Sequence, residues 1–327
     1  MLSRVAESIF WMSRYTERAE NIARLIDVNL NMSLDLGPEM EHQWVPLIAT
    51  TGDQKEFQAR YGIANQKNVI HFLTFDEENP NSVLSCLRNA RENARTVREM
   101  ISSQMWEELN KVYLLVRSAQ TDSRVPESPF EFFNRIKQAG YLLEGVMFGT
   151  MSHGEAWHFA RMGKLLERAD KTSRILDVKY FLLLPNLNDI GTSLDVSQWA
   201  SLLKSASALE MYRKTFGRIT PRNVAAFMVL DRDFPRTMYF CLLRGEQSLL
   251  AITGGTPGKF RTKAEQRIGR LRSEFDYAQI DEIISGGLHE FIDSFQTKLN
   301  SLGEAIHDSF FALDSALEPA KIPLAAQ

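Results

Sequence analysis

Two cysteines in 327 residues, Cys86 and Cys241, are too few and too scattered for a disulfide framework; they fit a reducing compartment. Charge of one sign is not in excess either. Thirty-eight Lys+Arg stand against 41 Asp+Glu, a formal net charge of -3, whereas a general nucleic-acid binder carries a basic surplus. Apolar runs are short: Tyr180 to Leu184 is among the longest and falls far below a bilayer's thickness. The N-terminal MLSRVAESIFWMSRYTERAE is charged within its first turns and has no continuous apolar stretch, unlike a signal peptide. These absences predict a cytoplasmic protein with no membrane segment and no nucleic-acid partner.

Familiar catalytic patterns are scarce as well. None of the six histidines forms HExxH, and His153 and His158 are five apart, so they share no helix face. No metal site is expected. Thr253 to Phe260 is glycine-rich but has neither the first glycine nor the final hydroxyl of a Walker phosphate loop. No cofactor is expected. Cys86 and Cys241 sit in apolar helical contexts, CLRNA and YFCLLR, without a neighbouring base, and read as buried, inert thiols.

Helix signals dominate what is present. The spacing predicts long helices over 3–33, 82–118 with a break near Ser102, 129–152, 154–184, 196–216, 235–252, 259–276 and 287–315. Shorter ones are expected near 40–50, 54–61, 66–76 and 221–231. Ser128-Pro129-Phe130-Glu131 reads as a capping box, Asp195 as a cap three residues before Gln198, and Thr220-Pro221 as a helix start. No stretch alternates apolar and polar residues long enough for a sheet. The expected fold is all-α, a large multi-helix bundle. The Gly/Asn/Pro-rich stretch Pro185 to Thr192 divides it into residues 1–185, residues 193–317 packed on them, and a disordered tail, 318–327.

One phrase occurs twice. Residues 17–28 read ERAENIARLIDV and residues 167–178 read ERADKTSRILDV, with six identical positions. The shared residues are mainly charged, which core packing alone does not demand, so an internal duplication of one helical element is expected, facing itself across a pseudo-twofold. On a helix of about 100° per residue, Trp11, Tyr15, Ala19, Ile22, Leu25 and Ile26 form an apolar arc, and Arg18 lands inside it. Arg14, Glu17, Glu20, Asn21, Arg24 and Asp27 fill the other side. Arg168 lands within the apolar arc of the second copy. A guanidinium on a buried face is costly unless carboxylates receive its planar fork. The simplest pairing sets Glu167 against Arg18 and Glu17 against Arg168. Three readings remain open: an ion-pair network that fixes helix register, a cleft that holds an anionic or peptide ligand, or surface arginines whose alkyl stems cover apolar area.

Arg91, Arg95 and Arg98 recur at four and three residues and share one face. That face is either solvated or docked against the glutamates of the repeat. Asp231-Arg232-Asp233-Phe234-Pro235-Arg236 places acidic groups before a helix whose early turn holds Pro235, with Asp233 toward the dipole and Arg236 as an anion contact. Candidate ligand-contacting residues are therefore Arg14, Glu17, Arg18, Asn21, Arg24, Arg91, Arg95, Arg98, Glu167, Arg168, Arg174 and Arg236. No catalytic residue is assigned.

The ERA…R…DV phrase, RENARTVREMISSQMWEELN, EAWHFARMGKLLERAD and DRDFPRTMYFCL, in that order along nearly the whole chain, resemble the bacterial alpha-E family, an all-helical domain named for its ER motif. The resemblance implies a partner: an ATP-grasp carboxylate–amine ligase encoded beside or fused to such domains, often with a transglutaminase-like protein nearby. The implied role is accessory, positioning ligase or substrate in peptide or amide synthesis or modification. A stand-alone enzyme using Glu17 and Glu167 on a peptide-like substrate is the competing reading, and a purely structural homo-oligomer the third.

Overall fold

The computed structural model describes residues 1–36, 44–120, 129–182 and 192–312. Among them the chain forms fifteen α-helices and no strand, as the absence of period-two patterning requires. The first stretch carries α1 (Ser3–Leu36), α2 (Val45–Thr51), α3 (Gln54–Tyr61), α4 (Gln66–Thr74), α5 (Val83–Thr96), α6 (Ser103–Gln120) and α7 (Pro129–Thr150). The second carries α8 (Glu155–Leu182), α9 (Ser193–Ser205), α10 (Leu209–Phe216), α11 (Pro221–Leu230), α12 (Met238–Thr253), α13 (Lys263–Tyr277), α14 (Ile280–Gly286) and α15 (Leu288–Ile306), then one π turn, His307–Phe311. No helix among the described residues is long and apolar enough to cross a membrane.

Hydroxyl and amide caps set several helix starts. Asn65, Ser82, Thr192, Thr220, Thr237 and Thr262 each accept the backbone N–H three residues on, which satisfies an otherwise orphaned donor. Thr192 thus replaces Asp195 as the cap of α9; Asp195 sits in its first turn. Likewise Thr237 caps α12, and Pro235 and Arg236 precede the helix instead of lying in its first turn. The predicted 196–216 helix is two helices, because Ser207 takes φ 51, a left-handed conformation that no helix interior accommodates. The predicted 82–118 helix breaks over 97–102, between α5 and α6. Helix α14 had no counterpart in the sequence reading. Ser128, residues 185–191 and the tail 318–327 lie outside the described residues.

At the centre α1 and α8 run side by side in the same direction, α1 flanked by α5 and α7, α8 by α12 and α15. One buried core runs through both stretches of chain. Close approach has two glycine signatures. A Cβ on Gly163 of α8 would lie 2.4 Å from the carbonyl oxygen of Phe10 on α1. A Cβ on Gly140 of α7 would lie 2.5 Å from Oε2 of Glu20. Packing this close buries the polar side of α1: Glu17, Glu20, Asn21 and Arg24 are as buried as Ala19, Ile22, Leu25 and Ile26, whereas Trp11, Arg14, Tyr15 and Arg18 are half-buried.

Candidate functional site

The repeated phrases meet each other. Glu167 accepts Arg18 Nε at 2.6 Å and Nη2 at 3.1 Å. Glu17 accepts Arg168 Nε at 2.8 Å and Nη2 at 2.9 Å. Both are two-point pairs across α1 and α8, the geometry in which a planar guanidinium matches a carboxylate best. The pairing expected from the sequence is the one observed.

Each glutamate, with a wholly buried side chain, gathers further cations. Arg236, just before α12, donates from Nη1 to Glu17 at 3.0 Å and from Nη2 to Glu20 at 2.5 Å. Asn21 donates to Glu17 Oε1 at 3.1 Å and accepts from Arg236 at 3.3 Å. Lys164 stands 3.9 Å from Glu17 and 2.6 Å from Glu144 of α7. On the other side Arg14 donates to Glu167 at 2.9 Å, while its guanidinium lies 4.9 Å from the Trp11 ring, and Lys171 stands 3.7 Å away. Arg18 also donates to Asn81 Oδ1 at 2.8 Å. Arg24 pairs with Glu20 and donates to Tyr141 at 2.9 Å and to Ser207 Oγ at 2.5 Å, which ties the unusual Ser207 backbone to the network. Arg174 grips Asp170 at 3.0 Å.

Electrostatics follow from these contacts. Burial by itself would raise the Glu17 carboxyl, but Arg168, Arg236 and Lys164 outweigh it and hold the group well below the usual carboxylate range. Glu167 is held low in the same way, burial being overcome by Arg18, Arg14 and Lys171. Burial would likewise lower Arg18 and Arg168, yet their glutamates raise both. Counted over this network, eight cations (Arg14, Arg18, Arg24, Lys164, Arg168, Lys171, Arg174, Arg236) share five carboxylates (Glu17, Glu20, Glu144, Glu167, Asp170). A chain of net charge -3 therefore carries a cationic centre.

Nine of the twelve candidates lie in this network. Arg91, Arg95 and Arg98 do not. Arg91 donates to Asn110 of α6 at 2.7 Å, Arg95 to Glu92 of its own helix at 2.8 Å, and Arg98, past the end of α5, covers Trp106. Sequence reasoning left out Lys164, Lys171, Glu144 and Asn81. A local signal existed only for the lysines, three residues before and four after Glu167, on its own helix face. Among the described residues two Glu-x-x-His pairs occur, Glu155/His158 and Glu304/His307, but Glu155 holds the N-terminal amine at 2.8 Å and Glu304 stands 3.8 Å from Arg267. Among the described residues no three His, Cys, Asp or Glu are grouped to hold a metal. Cys86 and Cys241 are buried, and burial pushes both thiols up to about 12, so neither is a thiolate near neutrality.

An all-helical bundle built around two parallel helices that exchange buried Glu–Arg pairs is the class this architecture defines. The chain belongs to the Alpha-E family, "a predicted alpha-helical domain with a conserved ER motif", whose model matches residues 1–311. Among curated proteins it is similar to an uncharacterized protein of Mycobacterium bovis and to one of Mycobacterium tuberculosis. Both are 24% identical over 345 residues, covering 97% of this chain and 38% of theirs. The chain thus spans well under half the length of these relatives. No solved structure matches it.

Proposed function

We propose that this protein is an accessory helical partner of an ATP-grasp carboxylate–amine ligase, positioning the ligase or its acidic substrate in peptide or amide synthesis or modification. The observation that carries the non-catalytic part is the state of Glu17 and Glu167. Both carboxylates are wholly buried and held ionised by several cations each. A general acid or base must exchange its proton near the working pH, and these groups are pinned far from it. The cavity touching Glu17 has a volume of about 30 Å³, the share of a single water molecule, so no substrate reaches that carboxylate.

Two facts favour a partnership. The surplus of cations suits a protein that handles acidic molecules. The matched region is 38% of each mycobacterial relative, as expected of a module that acts alongside others. The resemblance to alpha-E domains names the ligase, and a transglutaminase-like protein as a second associate. The same resemblance and the six matched positions favour an internal duplication of the ER helix. The reading places the protein in the cytoplasm, where a ligase finds ATP.

Co-expression with an ATP-grasp ligase encoded beside this protein, followed by affinity capture and a turnover assay, tests the reading. The expected result is a stable complex whose ligase activity falls when this protein is withheld. Amide formation or cleavage by the isolated protein contradicts it.

A further inference from the structure

Correspondence between the two stretches of chain extends well beyond the repeated phrase. With a constant offset of 155, Gly62 matches Gly217, Phe72 matches Phe227, Asp76 matches Asp231, Pro80 matches Pro235 and Cys86 matches Cys241. The geometry repeats with the letters. Gly62 and Gly217 both take φ 67, with ψ -74 and -73. Phe57–Tyr61 and Tyr212–Phe216 stack at 5.3 and 5.4 Å. Cys86 and Cys241 donate to the carbonyls of Pro80 and Pro235 at 3.7 and 3.6 Å. Further on the offset becomes 159. Buried Met105, Leu109 and Val112 of α6 then fall on Ala264, Ile268 and Leu271 of α13, and Ile136, Leu143 and Met147 of α7 on Phe295, Leu302 and Ile306 of α15.

This register gives each stretch a cleft between the two ER helices and its own last long helix, and the clefts differ. The first lies between Glu17, Glu20 and Lys164 and is closed from α7 by Glu144, whose carboxylate receives Lys164 at 2.6 Å and Arg168 at 3.4 Å. About 30 Å³ remains. In the second, Arg14 stands where Lys164 stands and Asp170 where Glu20 stands. The position of Glu144 falls on Gly303 of α15, and a cavity of about 430 Å³ is left. A Cβ on Gly303 would meet nothing within 4 Å. Arg14 engages Glu167 through Nε and Nη2, which leaves Nη1 for another acceptor. Of the acids on the wall, Asp170 is held by Arg174 and Lys171 and Glu304 stands 3.8 Å from Arg267, while Asp308 lies 3.7 Å from His307, an ion pair only when that imidazole is protonated.

We propose that the chain is two copies of one seven-helix unit, the second with α14 added, and that the open cleft binds an organic carboxylate, whose acidic group takes beside Arg14 the place that Glu144 takes beside Lys164. Phe10, Trp11 and Phe311 provide apolar wall for the rest of the ligand, and the volume suits a small molecule or a peptide end. The π turn His307–Phe311 forms one side, a distortion that recurs at functional sites. The proposal stands independently of the ligase partnership, because the isolated protein binds the ligand.

Calorimetric titration of the full chain tests it with capped dipeptides bearing a free C-terminal carboxylate and with the same dipeptides amidated. The acids bind, and the amides bind at least tenfold more weakly. Gly303→Glu, which supplies the missing carboxylate from within, abolishes binding while the circular dichroism spectrum and melting temperature are retained. Arg14→Gln weakens binding at least tenfold; should that variant not fold, Gly303→Glu remains decisive. Equal binding of acid and amide, no binding of any acid, or acid binding untouched in folded Gly303→Glu overturns the proposal.

Discussion

Glu17 and Glu167 occupy the same place in the same phrase, yet their surroundings differ. The partners of Glu17 are sealed: Arg168 and Arg236 retain 4% and 7% of their side-chain exposure. The partners of Glu167 open outward, Arg18 at 16% and Arg14 at 18%. An identical letter pattern has thus produced one dry ion-pair cluster and one that borders a cavity. The lesson is that an ER pair states which charges meet, while the helices packed around it decide whether the meeting is purely architectural or remains within reach of a ligand.

Removing a cation from the sealed side strains this comparison most. Arg168→Ala strands Glu17 without its two-point partner at a wholly buried position, at a cost of about 3–5 kcal/mol. Urea unfolding reads this directly, and a loss below roughly 1 kcal/mol would place the pair among surface bridges. On the open side Arg18→Ala should cost about 2 kcal/mol, the scale of a hydrogen bond to a charged group, because Arg18 and Arg14 are partly exposed and solvent reaches the vacated site. Equal losses for the two variants erase the distinction between the sides.

Acid sharpens the same contrast. Both carboxyls are lowered from the ordinary 4.5 on folding, so the folded state binds protons less readily than the unfolded one. Their contribution is complete above pH 4.5 and is lost as pH falls from there toward the depressed folded values. Stability measured from pH 7 down to pH 3 should decline only in the lower part of that range. Glu17→Gln should flatten that decline more than Glu144→Gln, since the Glu144 side chain is 46% exposed and its partners are screened. The smallest effect belongs to the arginines outside the network. Arg95, 62% exposed, should change stability by under about 0.5 kcal/mol when replaced by Ala, as read in the same unfolding assay.

Much of this organisation was legible from residue spacing. Arg18 and Arg168 betrayed themselves because a guanidinium inside an apolar arc demands a carboxylate, and the repeated phrase offered one on each side. The all-helical class followed from periodicity. Glu144 and Asn81 stayed hidden because their roles arise from helices far away in sequence. The expected Arg91–Arg95–Arg98 face is not one helix face, because α5 ends at Thr96, and no proline or glycine marks the break over 97–102. Ser207 shows a related limit: its left-handed backbone is held by Arg24 from the other end of the chain.

The most direct test of the reciprocal pairing is a ¹³C NMR titration of the Glu17 and Glu167 side-chain carboxyls. The expected result is that both remain ionised far below the ordinary glutamate value of 4.5, until the protein itself unfolds. Titration of either carboxyl in the folded protein at or above that value would contradict it.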